Sequence, residues 1–528
     1  MTSYFPFITV LVLVVFSALT TLVYRVRRNL TLAWLVATLG GLIAWVLTLL
    51  TGLGLPMHIS LMRWSPVGLF PDSPGWMVDQ VSWPFALALS TLALAVILTD
   101  VAREFEAESS SWAASLGLVA LAITSIYSSN LVTFIMGWAA LDFAELVFLL
   151  QHLREDIERR QAVAVFSARI GGIFLILYGQ ITAGSQGLHV EFESIPQVSI
   201  LYLLLAVSLR LGIFPLHVPF WKEPSFRRGI GSVTRLLSPA ASLVFLARIA
   251  AGGAPSTQSN LLFLFAGLAA LYAGFAWYNA PDELTGRPFF ILGMAALAFG
   301  SAIQGHPAGS LAWGVALVFA GGYLFLYSSR SRVLWILAMV VVASIAALPF
   351  TPSWHGGELY GAPFNFWQVL YLFAHVQILA GFIRHSRQAD DDLSNADRWV
   401  RVFYPAGLLF LVISSFVAGW LGGGLVPSPS WGISLLSLLS GIVVLGLAVA
   451  RVYWDPRIPR LPGKLRLNLR NVFSLGWFYT FLGWCYRLIG SAVSFVTLIL
   501  EGEGGMLWAL LLFTLLIAFL TSRGVIGS

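Results

Sequence analysis

The chain has 528 residues, of which 58% are hydrophobic and only 10% charged, with a formal net charge of +6. That composition excludes a soluble multidomain protein and describes an all-α polytopic membrane protein; the positive excess sits in loops, so it reports orientation and not a nucleic-acid surface. One cysteine, Cys485, excludes intramolecular disulfides and a cysteine-ligated iron–sulfur cluster, and reads as a packing residue.

Apolar segments of about spanning length fall near 4–24, 30–53, 83–100, 111–128, 131–153, 162–183, 198–217, 232–252, 259–279, 288–304, 308–328, 333–350, 362–384, 402–424 and 431–450. A final one, 505–522, brings the expected number of transmembrane helices to about sixteen. The first segment lacks an A-x-A cleavage site and begins without basic residues, so it is expected to be a retained span. Twenty tryptophans fit interfacial anchoring.

Charge tests the count independently. With the N-terminus outside a prokaryotic plasma membrane, every second loop is cytoplasmic. Those loops hold Arg25, Arg27 and Arg28; Arg103; Arg154, Arg159 and Arg160; Lys222, Arg227 and Arg228; Arg287; Arg330 and Arg332; and Arg384, Arg387, Arg398 and Arg401. The opposite loops hold only Arg63, a strong positive-inside pattern that an error in the span count would scramble.

The loop 54–82 is rich in Gly and Pro and reads as a small external turn or hairpin. The stretch 451–472 is basic and proline-punctuated, suited to anionic lipid or an acidic neighbour. Residues 474–500 are apolar, glycine-studded and aromatic around Arg487, and either cross the membrane or lie along it. No soluble domain, phosphate loop or Cys/His metal spacing stands out. Neither a cofactor, a metal nor a catalytic centre is expected.

The informative residues are therefore the ionisable ones inside spans, where charge costs several kcal/mol on insertion scales and marks either an ion path or a helix lock. Asp142 and Glu145, three apart in GWAALDFAELVFLL, share one helix face. Arg169 sits mid-span in VFSARIGGIF; Arg210 and His217 flank a turn at Pro215; Arg235 and Arg248 lie on the next helix. His355 and Glu358 follow Pro349, and His375 lies inside the following span. Each has a plainer reading. The acids would neutralise Arg169 or Arg210 in a static bundle, and His217 would cap a broken helix. Glu358 would be an interfacial carboxylate, His375 a satisfied interior histidine, and Arg248, near its helix end, would snorkel. Opposite charges on neighbouring segments favour a proton relay instead. The break at Pro215 leaves backbone carbonyls that must line a polar cavity or be buried in protein.

LRLGIFPLHVPFW resembles the signature of the antiporter-like subunits of respiratory complex I (NADH:quinone oxidoreductase) and the Mrp cation/proton antiporters, in which K-x-x-x-x-P-L-H/Q-x-W-L precedes a turn and a helix ending V-Y-x-x-x-R. Arg210 stands at the lysine, Pro215, Leu216 and His217 match, and Val244 to Arg248 resembles the helix end. VDQVSWPFALALSTLALAVIL resembles the family's D-x-L-S segment and NLVTFIMGWAAL its N-L-x-x-F-x-x-W-E; FSARIGG resembles the N-R-x-G-D of the distal-subunit branch, and AALPFTPSWHGGELY its distal loop. The resemblance implies inverted five-helix repeats with broken helices at Pro215 and near or before Pro349, a C-terminal lateral helix, and a last anchor. The implied division is 1–130 for N-terminal helices and the external loop, 131–260 for the first repeat, 261–450 for the second repeat and following spans, and 451–528 for the linker, lateral helix and anchor.

Departures matter as much. The carboxylate expected after Trp138 is Ala139, with Asp142 one turn on and Glu145 behind it; the aspartate of N-R-x-G-D is Gly172. The eighth-span basic position falls near Thr234 and Arg235, or on Ala240, and the distal lysine or glutamate on Gly357 or Glu358. In SLAWGVALVFAGGYLF, Trp313, Leu317 and Gly321 occupy places where the family carries histidines and a lysine. The chain has two lysines, Lys222 and Lys464, both in loops. Arginine is effectively always protonated, so Arg210 is a fixed electrostatic switch and not a proton carrier. The resemblance implies a proton-translocating subunit among other membrane subunits, with an impaired or rewired channel; redox chemistry would belong to its partners. A non-conducting structural subunit, or a membrane partner in another ion or inorganic-carbon uptake system, are the alternatives.

Overall fold

A computed structural model describes residues 4–61, 73–102, 108–153, 155–218, 228–252, 259–361, 364–388, 391–393, 396–422 and 431–454, scattered positions from 480 to 497, and 503–524. Two units divide it, Met1–Arg460 and Leu461–Ser528.

In the first unit the helices are α1 Phe5–Arg27, α2 Leu30–Thr51, α3 Ser82–Thr99, α4 Ser109–Ile126, α5 Leu131–His152, α6 Asp156–Gly184, α7 Gln197–Leu211 and α8 Arg228–Ala251. They continue with α9 Ser259–Tyr278, α10 Glu283–Ile303, α11 Pro307–Leu326, α12 Arg332–Ile345, a 3-10 helix at Trp354–Tyr360, α13 Gln368–Ser386, α14 Val400–Leu421 and α15 Trp431–Trp454. The second unit holds α16, Glu503–Gly524, and helical positions between 480 and 497. Whether 474–500 crosses or lies along the membrane falls largely outside the described residues, as does the basic stretch 455–472.

Twelve helices are long and apolar enough to cross a membrane, and shorter apolar helices occupy 197–211, 332–345 and 507–519. With α13, every apolar segment read from the sequence is a helix, and the protein is multi-pass. The central helices α3, α8, α10 and α11 are buried almost all round, whereas α1, α2 and α15 leave most of their apolar surface outward. An all-round apolar helix belongs in that setting, because lipid and a protein core accept the same side chains.

Side-chain caps start several helices: Asn29 accepts from Leu32 N, Asn130 from Thr133 N, Asp282 from Thr285 N and Ser331 from Leu334 N. Asn130 also donates to Ser73 O at 2.7 Å, tying α5 to the external loop. That loop is a hairpin, β1 Met57–Ser60 paired antiparallel with β2 Gly75–Val78. A second, two-residue parallel pair joins β3 Ser329–Arg330 to β4 Asp391–Asp392.

Two helices stop inside the bundle. α7 ends at Leu211 on a left-handed Gly212, φ +79°, six residues earlier than its apolar run. α12 ends at Ile345, and Ala347 (φ +53°) and Phe350 (φ +61°) turn the chain. The second interruption thus spans the residues before and at Pro349. The interrupted helices are the seventh and the twelfth, the spacing a five-helix repeat requires.

Two expectations are corrected. Trp34, Trp76, Trp83, Trp112, Trp138, Trp277, Trp313 and Trp354 are buried and not interfacial. Several staple helices through the indole N–H: Trp34 to Ile97 O, Trp83 to Thr48 O and Trp277 to Ile378 O, at 2.7–3.0 Å. Satisfying that N–H is what makes a buried tryptophan tolerable. Arg248 does not snorkel. It is 5% exposed, donates to both oxygens of Asp79 at 3.1 and 3.4 Å, and lies over the Phe192 ring. Asp79 also accepts from Ser82 N and Oγ, each at 2.8 Å, so one carboxylate orders the entry to α3 and neutralises the end of α8. Asp79→Ala leaves that guanidinium uncompensated and should cost about 2–3 kcal/mol, read as a lower unfolding temperature in detergent.

Candidate functional site: a buried two-acid, two-arginine centre

Asp142 and Glu145 lie one turn apart on the inward face of α5, 1% and 2% exposed. Arg210, near the end of α7, grips Asp142 with a fork, Nη1 to Oδ2 at 2.6 Å and Nη2 to Oδ1 at 3.0 Å. Bidentate charge-assisted bonds are the strongest that an arginine makes. Arg169, mid-way along α6, reaches both acids through Nη1, Glu145 Oε2 at 2.7 Å and Asp142 Oδ1 at 3.4 Å. Four of the charged residues singled out in the sequence thus form one network across three helices.

Arg210 is held from every side. Trp138, one turn before Asp142, lies flat beneath it, 3.7 Å from guanidinium carbon to ring centroid. Nε donates to Ser242 Oγ at 3.4 Å, Nη2 to Ser238 Oγ at 3.3 Å, and Nη1 to Arg169 O at 3.3 Å. Gly172 faces the side-chain stem: a Cβ there would sit 2.9 Å from Arg210 Cγ and 3.1 Å from Ala206 O. Glycine, where the related motif has aspartate, leaves room for an arginine to run along α6.

Beside the centre lies a cavity of about 30 Å³ lined by Arg169, Arg210, Leu211, Arg235, Pro239, Pro288, Ile291 and Leu292. At roughly 10–15 Å³ for each water centre, it has room for about two waters. Pro239 within α8 removes a backbone donor there, which leaves a carbonyl for a polar neighbour. Arg235 borders this cavity without joining the hydrogen bonds of the acids. His217 belongs to the break itself: its Nδ1–H donates to Pro215 O at 2.8 Å and its N–H to Gly212 O at 2.9 Å. That is the geometry of a cap on interrupted backbone.

A second polar group surrounds the other break. His375 donates Nε2–H to Ile345 O, the last residue of α12, at 2.7 Å, and accepts from Tyr360 Oη at Nδ1, at 3.0 Å. Trp313 packs edge-on against its ring and donates to Gly356 O at 3.0 Å. Glu358 faces His355 Nδ1 at 2.7 Å and His306 Nδ1 at 3.8 Å. Glu358 and His375 are therefore remote from the acids of α5.

Between the two groups runs α11, which carries no Asp, Glu, Lys, Arg or His. Leu317 and Trp313 are fully buried, and Gly321 is closed in by Phe325, Phe290 and Leu236. Sequence reasoning missed Trp138, Ser238, Ser242 and Tyr360. The serines had a signal, polar residues four apart on an otherwise apolar helix and on one face with Arg235. Gly172→Ala should push the Arg210 stem aside, cost about 1–3 kcal/mol as overpacking does, and show the guanidinium displaced from Trp138 in a solved structure of the variant.

No family model and no curated protein sequence matches this chain. Solved structures do. A chain of the membrane-bound sulfane sulfur reductase, an archaeal respiratory membrane complex, is 14% identical at a TM-score of 0.63, over 97% of this chain and 99% of that one. A chain of respiratory complex I from Thermus thermophilus with bound NADH is 18% identical at 0.61, over 84% of this chain and 100% of that one. A chain of the Mrp complex from Dietzia sp. DQ12-45-1b is 14% identical at 0.72, over 99% of this chain and 63% of that longer one. At such identities the likeness is one of fold, and the fold is that of the antiporter-like membrane subunits in complex I, Mrp and related respiratory assemblies.

Proposed function

We propose that the protein is an antiporter-like membrane subunit of a multi-subunit assembly of the complex I or Mrp kind, and that it moves protons through the centre formed by Asp142, Glu145, Arg169 and Arg210. The observation that carries this is two carboxylates and two guanidinium groups, all buried, meeting beside a cavity of water size. Buried ion pairs are weak stabilisers and are often matched by apolar packing, so four charges inside an apolar bundle are better explained by ion handling than by stability.

The path is rewired relative to the related motifs. Arg210 keeps its charge and acts by attraction alone, so the proton rides on a carboxylate and on water. An apolar α11 separates this centre from Glu358, His355 and His375, so lateral transfer through side chains stops at α11. The loop arginines support an N-terminus outside a prokaryotic plasma membrane, with electron transfer and lipid or protein contacts assigned to the rest of the assembly.

The apolar α11 equally favours a second reading, a subunit that keeps the fold to build a membrane arm without conducting. The assembly purified from native membranes and reconstituted with a pH-sensitive dye separates the two. On the first reading Glu145→Gln lowers the initial rate of proton movement about tenfold or more, equivalent to about 1.4 kcal/mol, with the subunit still assembled. Unchanged proton movement in both Glu145→Gln and Arg210→Lys assemblies would establish the structural role.

A further inference from the structure

We infer that the two acids are not equivalent: Asp142 is a permanent anion locked to Arg210, Glu145 is the group that takes up and releases the proton, and Arg169 is the side chain that moves when it does. This rests on the ion-conducting reading above and divides its labour.

The bonding is lopsided. Both oxygens of Asp142 are engaged by Arg210, and Oδ1 is shared with Arg169 as well. Protonating Asp142 would break a fork while Arg210, held by Trp138, Ser238, Ser242 and Arg169 O and closed against Gly172, has nowhere to go. A buried guanidinium left without its carboxylate is strongly unfavourable, which keeps Asp142 ionised. Glu145 is held differently. Among the described residues its hydrogen-bond partner is Arg169 alone, through one oxygen.

Arg169 is also the loose member of the cation pair. Only Nη1 bonds to the acids, its Nε is buried without a hydrogen-bond partner, and it lines the cavity. An unsatisfied buried donor is a poised arrangement and not a settled one. Glu145 faces Arg169 on α6, with Asp142 on its own helix, Arg210 on α7 and Arg235 on α8 nearby; α4, the remaining neighbour of α5, carries no titratable side chain along Ser109–Ile126.

The step is simple to balance. A proton arriving through water adds to a carboxylate oxygen of Glu145, forming one O–H bond and a neutral acid. The Arg169–Glu145 ion pair opens, and Arg169, still charged, closes from 3.4 Å onto Asp142 Oδ1. Release of the proton to water restores the pair. The centre then alternates between one and two net carboxylate charges while the Asp142–Arg210 fork stays fixed.

Infrared difference spectroscopy of the native assembly, stepped between neutral and acidic pH, tests this. A protonated-carboxyl band should appear on acidification, vanish in Glu145→Gln and move in frequency in Glu145→Asp, which keeps an acid at the site and guards against a folding failure. A band unchanged in both variants overturns the assignment. Dye measurements on the same samples keep the two readings apart. Loss of proton movement in Glu145→Gln with the band unaltered sinks the division of labour and spares conduction. A band that follows Glu145 with proton movement unaltered supports the assignment and sinks conduction.

Discussion

The interaction on which the rest of this structure depends is the grip of Arg210 on Asp142. A guanidinium with no exposed side-chain surface persists in an apolar bundle only if its charge and its donors are met. Here the carboxylate supplies the charge, Trp138 covers the face, and serines from α8 and a backbone carbonyl of α6 take the remaining donors. Four helices thereby become one rigid corner. The early stop of α7 follows the same logic: Arg210 sits in the last turn, where the carbonyl end of the helix dipole favours a cation.

That rigidity limits what the centre can do. A lysine can surrender a proton when desolvated, and an arginine cannot, so the chemistry shifts to whichever neighbour is least tightly held. Gly172 is the geometric counterpart of this change. Its missing Cβ is what lets the arginine stem lie against α6, and an aspartate there would occupy the same space. The residues that depart from the related motifs on α6 and α7 are therefore coupled, one making room for the other.

Much of the fold was legible because lipid imposes a simple rule: about twenty apolar residues for each crossing and arginines on one side. Each apolar run became a helix. The two interruptions were half legible; Pro215 and Pro349 flagged them, but the helices stop several residues before each proline, because Gly212 and Ala347 take left-handed conformations that a hydropathy profile does not register. The network of Asp142, Glu145, Arg169 and Arg210 could be suspected from charges on neighbouring segments. Which acid faces which arginine could not, since that depends on helix rotation. Arg248 was misread for a related reason. Its distance from the helix end suggested escape to water, whereas its partner Asp79 lies 169 positions away in the chain.

The two breaks are built alike and charged differently. In each, a histidine closes a backbone carbonyl that the interruption exposes, His217 on Pro215 O and His375 on Ile345 O. Yet only the first break carries a buried arginine beside acids; the second has Tyr360, Trp313 and serines, with the charged Glu358 drawn away toward His355 and His306. Between them α11 offers leucine, glycine and aromatic packing in place of titratable groups. A chain that conserves energy through such a fold needs charge to be felt from one half to the other, and across an apolar helix the means left is the field of the first centre itself. In a low-dielectric interior that field falls slowly with distance. Alternation of charge at Glu145 would therefore be sensed at the second break without any side chain to carry a proton there.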